Sequence, residues 1–117
     1  MTHTPEQLRQ MRCAAKVDAL APADVIALLA AVPDWQADGA RIARSFRFKD
    51  YYRTIAFVNA IAAVIHADDH HPELVVTYDR CSVKFDTHSV NGGKGGLSIN
   101  DFICAAKVDA VFTQSFS

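Results

Sequence analysis

The stretch of the sequence best suited to chemistry is H-A-D-D-H-H-P-E, residues 66–73, which contains three of the chain's five histidines. His88 follows at the end of a segment that alternates polar and apolar residues. An unperturbed imidazole has a pKa of about 6.5, so histidine can both give and take a proton near neutral pH. If His70, His71 and His88 converge on one cleft, one ring can protonate a leaving hydroxyl while another removes a proton, with no cofactor.

Two other interpretations of the same residues stay open at this point. His66 and His70 are four apart and would share one helix face, as paired zinc ligands do, but Ala67 stands where the metalloprotease pattern needs a glutamate. Metal binding is therefore a minor alternative, and we expect no metal. The adjacent histidines before Pro72 also suit an exposed helix end, where a protonated imidazole favours the helix dipole.

Hydrophobic periodicity predicts three helices. The first begins at Pro22 and is stopped by Pro33. The strongest runs from Tyr51 to about Asp69, and it should end at or before His70 because Pro72 disfavours helical geometry in the residue before it. The last helix follows Ser98, a residue type favoured as an N-cap, and runs to about residue 112.

Four short strands are predicted between these helices, at residues 35–37, 42–48, 74–78 and 81–87. Turns at Asp38-Gly39 and Asp79-Arg80 join them in pairs, and strands joined by tight turns pair antiparallel. We therefore predict an α+β fold, in which a four-stranded antiparallel sheet carries three helices on one face. Residues 21–117 would form this domain, and residues 1–20 a polar leader segment.

Composition indicates an ordinary globular protein and not a disordered one. Half of the 117 residues are hydrophobic, and 12 basic residues balance 13 acidic ones, so no basic stripe indicates nucleic acid or a membrane surface. No secretory signal is visible, and the odd count of three cysteines without a C-x-x-C pair predicts reduced thiols in a cytoplasmic protein. The glycine-rich segment 91–96 lacks the Walker spacing and is predicted to be a flexible loop.

One short sequence occurs twice, as C-A-A-K-V-D-A-L at 13–20 and as C-A-A-K-V-D-A-V at 104–111. Nothing around either copy repeats, so we interpret the match as coincidence and not as repeat architecture. Both copies are rich in alanine and have good helix propensity.

A combination of motifs resembles the pterin-4a-carbinolamine dehydratase family. It consists of H-x(3)-H-H-P at 66–72, Tyr78, Thr87-His88 and G-G-L-S-x-N-D at 95–101, together with Trp35, Phe46-x-Phe48 and F-V-N at 57–59. The resemblance extends from about Leu20 to Val111. It implies the same order of helices and strands that periodicity predicts.

The resemblance also implies a reaction, the dehydration of 4a-hydroxytetrahydropterin to quinonoid dihydropterin in the recycling of the tetrahydropterin cofactor of aromatic amino acid hydroxylases. By resemblance His70 and His88 are the acid/base pair, and His71 is catalytic and binds the pterin. Pro72, Thr87 and Asp101 are the further substrate-binding residues. No cofactor is implied, and the expected partners are the pterin substrate, a functionally linked hydroxylase and other copies of the chain in a homodimer or homotetramer.

Three points remain open from sequence. Asp101 also completes a capping-box pattern with Ser98, and on that ground we predict a mainly structural role for it. His66 stands where the family often has an acidic residue, and the segment after His88 is longer than in many members. Because some relatives act as transcriptional coactivators or assembly factors, the alternative function is a non-catalytic binding or dimerisation module.

Overall fold

The structure is a computed structural model that describes residues 3–117. Its helices are α1 (Pro5–Gln10), α2 (Pro22–Leu29), α3 (Tyr51–Asp68) and α4 (Ile99–Ser115), and its strands are β1 (Gln36–Asp38), β2 (Arg41–Arg47), β3 (Glu73–Val76) and β4 (Arg80–Phe85). The strands form one antiparallel sheet in the order β1-β2-β4-β3. The predicted α+β class and four-stranded antiparallel sheet are therefore confirmed.

One face of the sheet is buried under the helices, as the alternation in β2 and β4 requires. Ile42 and Phe46 of β2 and the apolar residues of β4 are fully buried, whereas Ser45 on the other face is exposed. Helix α4 lies in the middle of the helical layer, in contact with both α1 and α3, and its N-terminal half is buried. A helix covered on several sides is apolar around most of its circumference, which explains the run Phe102–Ala106.

The helix α3 begins and ends where local chemistry dictates. Asp50 caps its N-terminus by accepting a hydrogen bond from the Arg53 N–H at 2.9 Å. Its C-cap is Asp69 in the left-handed conformation, with φ of 50°. His70 therefore lies beyond the helix end, as predicted, and it does not share a helix face with His66.

The connection between β3 and β4 differs from the prediction. The strands end at Val76 and restart at Arg80, so residues 77–79 join them and not a two-residue turn at Asp79-Arg80. The Thr77 N–H donates to the Arg80 carbonyl oxygen at 2.9 Å and closes this longer turn. None of residues 77–80 has a positive φ, so the type I′ and II′ geometries that favour two-residue hairpin turns are not used here.

The segment before α2 packs against the domain. Leu8 of α1 is fully buried in the core, and the Leu20 N–H donates to the Leu97 carbonyl oxygen at 2.8 Å. Sequence analysis did not predict α1, whose capping box joins Thr4 and Gln7. Residues 13–17, which we call the strap, run without helix or strand along the N-terminal end of α4.

Candidate active site

Asp101 is the centre of the site, and it is fully buried in the first turn of α4. One carboxylate oxygen, Oδ2, accepts the Ser98 backbone N–H at 2.9 Å, which is the predicted capping box. The same oxygen accepts the Thr87 hydroxyl at 2.9 Å. The other oxygen, Oδ1, lies 2.6 Å from Nε2 of His70.

The hydroxyls of Ser98 and Thr87 form a directed chain toward this carboxylate. Their oxygens are 2.7 Å apart, and Thr87 has a single hydroxyl proton, which it donates to Asp101. Ser98 therefore donates to Thr87, while Ser98 Oγ accepts the Asn100 backbone N–H at 3.2 Å. Both oxygens of the buried carboxylate thus have partners, and its position is fixed.

The fold brings His70 to this carboxylate through two separate elements. The left-handed C-cap at Asp69 turns the chain off α3 so that the next side chain faces α4. The imidazole ring of His70 stacks on Phe85 at the end of β4, with ring centres 5.9 Å apart and an angle of 9° between the planes. With Nε2 held by Asp101, Nδ1 is the ring nitrogen left for a ligand.

The glycine-rich segment sets the position of Thr87. Where the sequence predicts a flexible loop, the structure has a compact 3-10 turn at Asn91–Gly93, held by hydrogen bonds from the Gly93 and Gly95 N–H groups to the Val90 carbonyl oxygen. The turn returns the chain so that the Thr87 N–H donates to the Gly96 carbonyl oxygen at 2.8 Å. A side chain at Gly96 would meet Asn91 Nδ2 at 2.6 Å and would displace the Asn91 amide, which donates to the Gly95 carbonyl oxygen at 3.0 Å.

A cleft of about 350 Å³ opens in front of His70, a volume in the range of small-molecule sites. The structure brings all three predicted catalytic histidines to its lining, with His70 half-buried and His71 and His88 exposed. Thr87 also lines it, and Asp101 lies behind His70. Pro72 and His66 instead line a neighbouring apolar depression, to which His71 also contributes.

Sequence analysis missed one wall of the cleft. That wall is the strap, which contributes Ala14, Ala15 and Val17. Asn100 fixes it, because its side chain accepts the Ala14 N–H at 3.1 Å and donates to the Ala14 carbonyl oxygen at 2.9 Å. Asn100 belongs to the S-x-N-D motif, so the signal was present, but nothing in the sequence indicated which backbone it would hold.

A larger depression, of about 700 Å³, lies on the helix-free face of the sheet, but none of the five histidines lines it. Its two cations are both paired within the chain. Arg44 Nη1 lies 2.7 Å from Asp109, and Lys84 Nζ lies 3.1 Å from Asp38. Burial raises the pKa of Asp109, while hydrogen bonds from Trp35 and Arg44 oppose that rise. Asp109 of α4 therefore explains how a charged side chain is accommodated on the apolar face of β2.

The described residues contain no cluster of three or more histidine, cysteine or acidic side chains placed to hold a metal ion. Within residues 3–117, none of the helices has the length and apolarity needed to cross a membrane.

The fold and the cleft together define a small α+β protein with a buried histidine–aspartate pair at the base of a ligand-sized cleft, an arrangement suited to proton transfer. The sequence profile of the family described as Pterin 4 alpha carbinolamine dehydratase matches residues 11–111. The chain belongs to this family.

Individual relatives agree with the family assignment. A protein of Bdellovibrio bacteriovorus is 58% identical over 99 residues, which are 85% of this chain and 82% of the relative. A protein of Stenotrophomonas maltophilia is 49% identical over 112 residues, or 92% and 93% of the two chains. Both bear the provisional name pterin-4-alpha-carbinolamine dehydratase.

A crystal structure from Brucella melitensis, described as a transcriptional coactivator/pterin dehydratase, superposes with a TM-score of 0.71. The two sequences are 34% identical, and the match covers 80% of this chain and 97% of the other. The likeness extends the family assignment to the three-dimensional fold.

Proposed function

We propose that this protein dehydrates a 4a-hydroxytetrahydropterin to the quinonoid dihydropterin and water. The observation that carries the proposal is the 2.6 Å contact between His70 Nε2 and the buried Asp101 carboxylate, at the base of a cleft that His71 and His88 also line. The chain's family membership supports the same substrate class.

The reaction needs one group that donates a proton and one group that accepts a proton. The C4a–O bond breaks as the hydroxyl leaves with an added proton as water, N5 loses its proton, and a C4a=N5 double bond remains. A pair of imidazoles can serve both steps because each ring exchanges protons near neutral pH. We assign the pair to His70 and His88, and the main contact with the pterin ring to His71.

Asp101 and Thr87 support this chemistry from behind His70. A carboxylate on Nε2 fixes which ring nitrogen carries hydrogen and how the ring is oriented, leaving Nδ1 toward the substrate. Thr87 in turn fixes the carboxylate. Pro72 restrains the backbone next to His71, so its contribution to substrate binding is through that neighbour.

The proposed role in the cell is recycling of the tetrahydropterin that an aromatic amino acid hydroxylase leaves as its 4a-hydroxy adduct. The three cysteines are free thiols, which supports a reducing, cytoplasmic compartment. The proposed reaction uses no cofactor.

A dehydratase assay with synthetic 4a-hydroxytetrahydropterin tests the proposal directly. We expect formation of the quinonoid product at a rate well above the uncatalysed background. The description of the Brucella melitensis structure as a coactivator favours a second candidate, a binding or dimerisation module. A folded protein that leaves the uncatalysed rate unchanged would support that second candidate and contradict the first.

We predict that activity does not depend on a bound metal ion. His70 Nε2 is already engaged by Asp101, and the described residues offer no cluster of three ligands. Dialysis against a strong chelator should leave the dehydratase rate unchanged. Loss of activity that added zinc or iron restores would contradict this prediction.

We further predict a homo-oligomer, a dimer or a tetramer, built on the exposed edge strand β3. Val75 and Val76 of this strand and the following Tyr78 are large apolar side chains with 37–65% of their surface exposed. An uncovered edge strand invites pairing with another chain. Light scattering should therefore give a mass of two or four chains at micromolar concentration.

A matched pair of variants tests whether β3 forms the interface between the chains. Val75→Lys should shift the mass toward that of one chain, whereas Ile26→Lys, at an even more exposed apolar position on α2, should not. A single-chain mass for the unmodified protein would rule out the assembly. An unchanged mass for Val75→Lys would place the interface elsewhere.

A further inference from the structure

Two cysteines lie in contact at the edge of the cleft without forming part of the proposed site. The Sγ atoms of Cys13 and Cys104 are 3.4 Å apart, although the residues are 91 positions apart in sequence. Cys13 belongs to the strap and is partly exposed, whereas Cys104 is fully buried in α4. This juxtaposition brings a solvent-accessible thiol and a protected one within reach of a single bond.

The two thiols have different reactivity. The thiolate is the form that attacks an oxidant, and both the hydrogen bond with Cys13 and burial raise the pKa of Cys104, which keeps it protonated. Cys13 is the thiol that solvent reaches first. Cys81 is fully buried, and burial raises the pKa of its thiol to about 11, so it serves as an internal unreactive reference.

We propose that Cys13 and Cys104 are a reversible oxidation site, at which hydrogen peroxide converts the two thiols into a disulfide that ties the strap to α4. The Cys13 thiolate attacks one peroxide oxygen, the O–O bond breaks, and the hydroxide that leaves is protonated to water. The sulfur of Cys104 then attacks the resulting sulfenic acid, the S–O bond breaks, and a second water leaves. The two sulfurs lose the two electrons that reduce the peroxide, and an external dithiol reverses the change.

The position of the strap gives this bond a consequence for the cleft. In the thiol form no covalent bond links the strap to α4. Hydrogen bonds join the Ala14 N–H and carbonyl oxygen to the Asn100 side chain and the Cys13 N–H to Asp68 at 3.0 Å, and Cys13 packs against the hydrophobic core. These bonds can open together and move the cleft wall formed by Ala14, Ala15 and Val17. A covalent link at Cys13 prevents that opening, so the oxidation state of the pair controls the mobility of one wall.

The experiment oxidises the full chain with hydrogen peroxide, alkylates remaining thiols under denaturing conditions and maps the peptides by mass. We expect one alkylated cysteine, Cys81, and a Cys13–Cys104 linked peptide that a dithiol removes. Amide hydrogen exchange of residues 13–17 should slow by at least ~10-fold in the oxidised form. The thermal midpoint should rise by ~5–10 °C, since a bond across so long a loop constrains the unfolded chain.

Cys13→Ser is the decisive variant, because its side chain is partly exposed and the substitution is compatible with folding. It should show neither the slower exchange nor the higher midpoint after peroxide treatment. Cys104→Ser should behave in the same way where it folds. Alkylation of both thiols after oxidation, a disulfide between two chains, or a Cys13–Cys104 bond with unchanged exchange at 13–17 would each overturn the proposal.

Discussion

Asp101→Asn will lower dehydratase turnover by ~10²-fold or more while changing the thermal midpoint little. The asparagine oxygen can still accept the Ser98 N–H and the Thr87 hydroxyl, so the helix cap persists. Its NH₂ group then faces His70 Nε2, which must become the acceptor. The ring hydrogen is forced onto Nδ1, the nitrogen that faces the substrate, and the imidazole is held in the wrong tautomer.

The control for this variant is the same substitution at another helix cap. Asp50 caps α3 through the Arg53 N–H and is not among the residues that line the cleft. Asp50→Asn should leave both turnover and the thermal midpoint nearly unchanged. Equal turnover for Asp101→Asn and the unmodified protein would show that Asp101 is a structural cap alone, the role predicted from its spacing to Ser98.

Asp101 makes one local contact that the sequence predicts and one long-range contact that it does not. The capping box is a local pattern over four residues, so the sequence predicted it and the structure has it. The contact with His70 joins residues 31 positions apart. It depends on the left-handed turn at Asp69 and on the packing of α3 against α4, and neither can be read from a local pattern.

The repeated sequence C-A-A-K-V-D-A makes the same point about secondary structure. At 104–110 it is helical and belongs to α4, where six consecutive residues from 101 are buried. At 13–19 the identical residues form no helix, and several of them line the cleft. Local propensity is equal in the two copies, so tertiary contacts decide the conformation.

The elements that were predicted well are those whose signal is strong and local. The long periodic helix α3 and the alternating strands β2 and β4 follow from apolar spacing, and the β1–β2 and β3–β4 pairings follow from short connections between those strands. The wall formed by the strap could not be predicted, because small residues without periodicity carry no sign of what they pack against. Asn100, whose side chain binds the Ala14 backbone, was identified from the sequence only as part of the S-x-N-D motif.

The histidines are expected to differ sharply when each is replaced. His70→Gln and His88→Ala should each lower turnover by ~10²-fold, because each removes one of the two imidazoles to which we assign proton transfer. Glutamine is the sharper change at position 70, since its amide nitrogen can still donate to Asp101 Oδ1 and avoids leaving a buried carboxylate oxygen without a partner. His71→Ala should mainly raise KM, because His71 is exposed on the cleft wall and is assigned to binding.

His66→Ala is the matched control for these substitutions, because it removes an exposed imidazole from the same short stretch without touching the cleft that His70 lines. It should leave turnover and KM nearly unchanged. Steady-state kinetics of the four variants, with circular dichroism to check folding, separate the roles. A loss for His66→Ala as large as that for His70→Gln, in a folded protein, would move the reaction to the apolar depression that His66 and His71 share. If only His70→Gln and His88→Ala lose turnover, proton transfer takes place in the cleft above Asp101. There the buried Asp101 carboxylate holds one of the two imidazole rings, that of His70.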